Sequence, residues 1–270
     1  MNALSPPVQA IVIDLDGTLL DSSRRVSPTN LAAVLGCHRQ GIHIVIATAR
    51  PPRAVHRLLP PSLLTLGYLV YYNGALITHP GLGFREHHAI PAGIAQRMAG
   101  TLMGREPSAF LTYEVDDRWY SLSPLSAEEG AVFGVGNGDK FPEVLAADEF
   151  WTIAPTKMVV SRCRLWRDLA AEFPDHAHVV ATDGDQLTQI MALSVSKDHA
   201  VHRVLTKLQI APAAAMVFGD DHNDAGLFSL CGFPVAMANA VPELKRVAWF
   251  ETRSNDGDGV AMAINRFILT

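Results

Sequence analysis

Residues 11–21 read IVIDLDGTLLD: an apolar, β-branched run ends in two carboxylates two positions apart, then a glycine, a threonine and more leucines. The run reads as a buried strand closed by Gly17, so Asp14 and Asp16 fall where that strand emerges. In an extended strand end, residues two apart face the same way, so both carboxylates can flank one reacting group. Two like charges so close repel, and neither is cheap to desolvate. The pattern calls for a cation or a reacting group beside them.

Outward from this strand, SPTNLAAVLGCHRQG (27–41) opens with a cap-like Ser27-Pro28 and ends in Gly41, as a helix does. IHIVIATAR (42–50) is a second buried strand, and PPRAVHRLL (51–59) a helix with prolines at its start. LGYLVYYNGALI (66–77) reads as strand, turn and strand. Apolar strands alternating with helices predict a parallel sheet covered on both faces. From residue 83 the texture changes. AGIAQRMAGTLM (92–103) reads as a helix, AFLTYEVDDRWYSLS (109–123) as a hairpin turning at Asp116-Asp117, and HVVATDGDQLTQIMAL (178–193) as a hairpin turning at Asp183-Gly184. Between them lie TKMVVS (156–161) as a strand and RLWRDLAAEF (164–173) as a helix. The chain then reverts to helix SKDHAVHRVLTKLQ (196–209), strand AAMVFGD (214–220), helix NDAGLFSLC (223–231) and strand FPVAMAN (233–239). The expected organisation is a Rossmann-like α/β core, residues 1–82 and 191–270, interrupted by an inserted α+β cap, residues 83–190.

The 270 residues are 49% hydrophobic and 18% charged, with a formal net charge of −5, which argues against a nucleic-acid-binding surface. Three well-separated cysteines, Cys37, Cys163 and Cys231, form no CxxC pair and suggest neither a disulfide framework nor a zinc site. The first ten residues have no signal-peptide pattern, and no apolar stretch is long enough to span a bilayer. The expectation is a soluble, cytoplasmic protein, monomer or homodimer.

Several core strands end in a polar group: Asp14 and Asp16, then Thr48, then Asp220 in FGDDHND (218–224), while Lys197 opens the helix after the cap. In an open α/β sheet, ligands bind at the carboxyl ends of the strands, so these residues should converge. Three carboxylates need a cation, and an all-oxygen set suits Mg²⁺. Lys197 and the Thr48 hydroxyl would hold an anion beside it. A carboxylate, a magnesium ion and a lysine around an anion describe phosphoryl transfer.

The four stretches DLDGTLL (14–20), Thr48 in ATAR, Lys197 in SKDHA and GDDHND (219–224) resemble, in order and spacing, the signatures of the haloacid dehalogenase superfamily of aspartate-nucleophile phosphatases. NGA (73–75), VAMANAVPELK (235–245) and the size and position of the cap resemble its Cof-like subclass, which inserts an α/β (type IIB) cap between the second and third signatures. The resemblance implies that Asp14 is the nucleophile, forming an aspartyl-phosphate, and Asp16 the general acid and then base. It implies Mg²⁺ ligation by Asp14, Asp220 and the backbone carbonyl of Asp16, with Asn223 and Asp224 ordering the metal's waters. Thr48, Lys197 and Asn239 would bind the phosphoryl group; Asn73 and the cap residue Lys157 are candidates for the substrate side. Ala49, where the subclass usually has glycine, and Asp198, where glycine is common, depart from the pattern without touching an implied role.

The implied function is a Mg²⁺-dependent phosphatase of small phosphorylated metabolites, with the cap closing over the substrate. The rival readings are a phosphomutase with the same intermediate and a non-catalytic module sensing Mg²⁺ and phosphate; Asp16, placed to handle protons, argues against the latter. His87, His88, His176 and His178 have no ligand pattern and read as solvated loop histidines. FGVGNGDK (133–140) reads as a loop, and Tyr113 and Trp119 as sheet-packing aromatics.

Overall fold

The structure, a computed structural model, describes residues 4–133, 135, 141–182 and 186–269. The chain divides into two compact units, Met1–Glu86 with Ser196–Thr270, and His87–Val195. Along the chain the strands are β1 (Ala10–Ile13), β2 (His43–Ala47), β3 (Tyr68–Tyr71), β4 (Leu76–His79), β5 (Phe84–His87), β6 (Phe110–Val115) and β7 (Arg118–Ser121). They continue with β8 (Glu143–Val144), β9 (Lys157–Ser161), β10 (Ala177–Thr182), β11 (Leu187–Ala192), β12 (Ala215–Gly219), β13 (Phe233–Ala236) and β14 (Phe250–Glu251).

The larger sheet runs β14-β13-β12-β1-β2-β3-β4-β5. Pairs from β14 to β3 are parallel, and β4 turns back antiparallel to β3. Every residue of β1, β3, β12 and β13 is buried, the reason these strands read as unbroken apolar runs. Chain order reverses at β1, with β2 on one side and β12 on the other. That switch point sets the loops after β1, β2 and β12 side by side, where such sheets bind ligands.

Local chemistry starts and stops the helices as the sequence suggests. The Asn30 N–H donates to Ser27 Oγ at 3.0 Å, Pro28 takes the first position of the helix Pro28–Arg39, and Gly41 follows it at φ 80°. Ser196 Oγ likewise accepts the His199 N–H at 3.3 Å, so the helix Lys197–Lys207 begins at Lys197. No helix of the described residues is long and apolar enough to cross a membrane.

The second unit is built on a sheet in the order β10-β11-β9-β6-β7-β8, antiparallel except between β7 and β8. The β6–β7 hairpin turns through Asp116 and Asp117 at φ 54° and 113°, a left-handed conformation that Asp tolerates better than most side chains. The expected Asp183-Gly184 turn lies outside the described residues, as does most of FGVGNGDK. Helices occupy Ala92–Arg105 and Trp166–Glu172. Tyr113 is buried and stacks on Phe150 with ring centroids 4.1 Å apart, and Trp119 packs against Phe133. His87 and His178 lie not in loops but on β5 and β10, His87 with Nε2 2.7 Å from Thr156 Oγ1, while His176 and His178 are exposed.

Candidate active site

Asp14 follows β1 directly, its N–H donating to Phe218 O of β12 at 3.1 Å, and its side chain is buried. Lys197 explains how a buried carboxylate is tolerated there. A lysine in the first turn of a helix sits at the positive end of the helix dipole, an unfavourable place for a surface cation. Here it is 1% exposed, and Nζ donates to Asp14 Oδ1 at 2.6 Å and to Asp224 Oδ1 at 2.8 Å. Burial pulls the Lys197 ammonium down, but Asp14 and Asp224 outweigh it and hold it above the ordinary lysine value.

Asp224 has both oxygens engaged, since Oδ2 accepts the N–H groups of Asp220 and Asp221 at 3.1 and 3.3 Å. Asp220 accepts the Thr18 hydroxyl at Oδ1, 2.8 Å away. Gly17 has φ 75°, and a Cβ placed on it would lie 2.2 Å from Asp220 Oδ2. The glycine and threonine of DLDGT thus make room for one oxygen of Asp220 and bond the other.

Potential ligand atoms of Asp14, Asp220 and Asp224 lie within 4.8 Å of one another. One lysine among three carboxylates leaves negative charge uncompensated. Burial lifts the Asp14 carboxyl well above the usual range, with Lys197 pulling it down and Asp224 pushing it up. Burial likewise raises Asp220 to about 6, against the pull of its Thr18 hydrogen bond. Oδ2 of Asp14 and of Asp220 has no hydrogen-bond partner among the described residues. Hard oxygen donors with an excess of negative charge fit Mg²⁺. Gly17→Ala should therefore weaken Mg²⁺ binding at least about tenfold by calorimetry, because the methyl displaces Asp220 and a side chain at this φ is strained. Unchanged affinity in the folded variant would show that Asp220 does not hold the ion.

Thr48 follows β2 and is 1% exposed. Its N–H donates to Val70 O, its C=O accepts from Asn73, and Oγ1 accepts the Arg50 N–H at 3.2 Å. Asn73 sits in a turn where Tyr72, Asn73 and Gly74 have φ of 52°, 55° and 110°. This turn brings Asn73 Oδ1 within 3.3 Å of Asn223 Nδ2. Asn239 donates from Nδ2 to Gly17 O at 2.8 Å and accepts the Asn255 N–H at 3.1 Å, so its amide fixes the loop after Asp16. Asp16 is half-exposed and paired with Arg50, a residue the sequence alone did not single out. Asp198 fits the space left by Gly226, where a Cβ would meet its Oδ1 at 2.5 Å. Lys157 belongs to the other unit: it is buried on β9, opposite Glu114 in register, with Nζ 3.4 Å from Gln189 Oε1.

The family model for haloacid dehalogenase-like hydrolases matches residues 11–264. A Bacillus subtilis 5-amino-6-(5-phospho-D-ribitylamino)uracil phosphatase, YcsE, is 25% identical over 97% of this chain and 96% of its own. The phosphoglycolate phosphatase of Methanothermobacter thermautotrophicus is also 25% identical, over 97% of this chain and 99% of its own. The crystal structure of TM0651 from Thermotoga maritima superposes with a TM-score of 0.85 at 22% identity, covering 96% of this chain and 97% of that one, a likeness of fold.

Proposed function

We propose that this chain, which belongs to the haloacid dehalogenase-like hydrolases, is a Mg²⁺-dependent phosphatase of small phosphorylated metabolites, sugar phosphates or phosphorylated cofactors. The observation that carries the reading is a buried lysine bridging Asp14 and Asp224, with Asp220 beside them and Thr48 ending the neighbouring strand. Asp14 Oδ2 attacks phosphorus while Oδ1 stays on Lys197. An O–P bond forms to Asp14 and the bond to the leaving oxygen breaks. Asp16 gives that oxygen its proton, then takes one from the water that releases phosphate from Asp14. Lys197 and the Thr48 hydroxyl hold phosphoryl oxygens, and Asp224 holds Lys197. Carboxylates of Asp14 and Asp220, with the backbone carbonyl of Asp16, would hold Mg²⁺, and Asn223 and Asp224 would order its waters. When bound, the ion neutralises charge on the phosphoryl oxygens and orients them.

Relatives at equal identity act on quite different phosphate esters, which supports the class of reaction and leaves the alcohol open. The test is a panel of phosphorylated sugars, cofactors and nucleotides, with inorganic phosphate as readout. Steady release matched by the free alcohol supports the proposal. An isomeric phosphate without inorganic phosphate would make the chain a mutase; binding of Mg²⁺ and phosphate without turnover would make it a sensor.

Burial raises the Asp220 carboxyl to about 6, so its ionisation is a burden on stability that is small near pH 4 and complete only well above pH 6. A cation removes that burden. Mg²⁺ should therefore raise Tm more at pH 7.5 than at pH 5, and chelation should abolish turnover. Equal Tm gains at both pH values, or full activity after chelation, would contradict this.

A further inference from the structure

Arg50 has no part in the steps above, yet it grips Asp16 with a two-pronged contact. Nε donates to Oδ2 and Nη2 to Oδ1, both at 2.6 Å. Such a fork fixes the plane of a carboxylate as well as its position. The arm itself is anchored at both ends of its backbone. The Arg50 N–H donates to Thr48 Oγ1 at 3.2 Å, and its C=O accepts the Tyr72 N–H at 3.1 Å. The Gly17–Thr18 peptide, one residue on, is also held, its carbonyl accepting from Asn239. A half-exposed aspartate would otherwise sample several rotamers, and proton transfer needs one.

We infer that Arg50 is the positioning residue for Asp16, setting the direction in which the proton donor meets the leaving oxygen. The inference rests on the phosphatase reading. Both guanidinium contacts of Arg50 go to Asp16, so its influence should scale with how much the leaving oxygen needs a proton. Each carboxyl oxygen has more than one lone-pair site, so the Asp16 oxygen that carries the proton to the leaving group keeps its guanidinium contact, as the other oxygen does. A lysine could supply the charge but not the fork.

The test compares Arg50→Gln and Arg50→Lys on an alkyl phosphate and on p-nitrophenyl phosphate. Both substitutions should lower kcat/KM for the alkyl ester about 10- to 100-fold and for the aryl ester less than about threefold. In the Asp16→Ala background Arg50→Gln should add nothing, because its effect passes through Asp16. Equal losses on the two esters, or losses additive with Asp16→Ala, would overturn the inference. A readout independent of turnover is the Arg50 Nε–H in a ¹H–¹⁵N spectrum, protected from exchange in the wild type and freely exchanging in Asp16→Ala. An unprotected wild-type signal would also overturn it. A wild type inert toward every ester would instead overturn the phosphatase reading, and the positioning role with it, while the protected signal would still report the ion pair.

Discussion

Asp14→Asn should reduce turnover of every phosphate ester by at least about 10⁴-fold, the scale on which loss of a nucleophile is felt. The amide oxygen is a poor nucleophile and cannot form a stable acyl-phosphate bond. The same substitution should leave Tm close to the wild-type value, which separates lost chemistry from lost fold. Burial pushes the Asp14 carboxyl above the usual range, Lys197 pulls it down and Asp224 pushes it up, so losing its charge relieves crowding among the carboxylates while taking one of two charged partners from Lys197. An isosteric amide removes that charge, and its oxygen still accepts from Lys197, which keeps its partner Asp224. Lys197→Ala provides the contrast. It strips the ammonium that bridges Asp14 and Asp224 from these buried carboxylates, a change worth about 3–5 kcal/mol for a broken buried pair, and should lower Tm sharply. Phosphate release and thermal denaturation on the two variants check both statements. Residual turnover of Asp14→Asn within about tenfold of wild type would remove the nucleophile from Asp14.

What could be read from the sequence follows from how local each signal is. An apolar β-branched run ending in polar residues marks a parallel strand and its functional end, which is why β1, β2 and β12 and the residues after them were legible. Caps are also local: Ser27 and Ser196 bond N–H groups three residues on. The positions of Lys197 and Asp224 came from signature order, not periodicity, because one residue on a helix face says nothing about its partner. Arg50 was missed for the same reason, its contact being with a residue 34 positions away. The second layer is more distant still. Asn239 bonds the Gly17 carbonyl across 222 positions, Asn255 bonds that of Leu20 across 235, and Asp256 accepts from Ser22 across 234. These contacts bring the C-terminal loop onto the loop that follows the two aspartates. No spacing rule reaches that far; only the sheet order, which sets β12 beside β1 and β13 beside β12, brings the segments together.

Asp16→Ala should separate two kinds of substrate that Asp14→Asn treats alike. A general acid matters most when the leaving oxygen is basic. An alkyl phosphate leaves as an alkoxide and needs the proton; p-nitrophenyl phosphate leaves as a stable phenolate and hardly does. Because kcat/KM reports steps up to the first irreversible one, which in the proposed mechanism is formation of the aspartyl-phosphate, it isolates the acid role. The alkyl ester should lose roughly 10²- to 10⁴-fold in kcat/KM, the usual reach of acid catalysis, and the aryl ester far less. By contrast kcat should fall for both, since hydrolysis of the intermediate loses its base whichever alcohol has left. The variant also removes both carboxylate contacts of the Arg50 guanidinium. A kcat/KM ratio between the two esters preserved at the wild-type value would deny Asp16 the acid role and leave its backbone carbonyl as its contribution to the site.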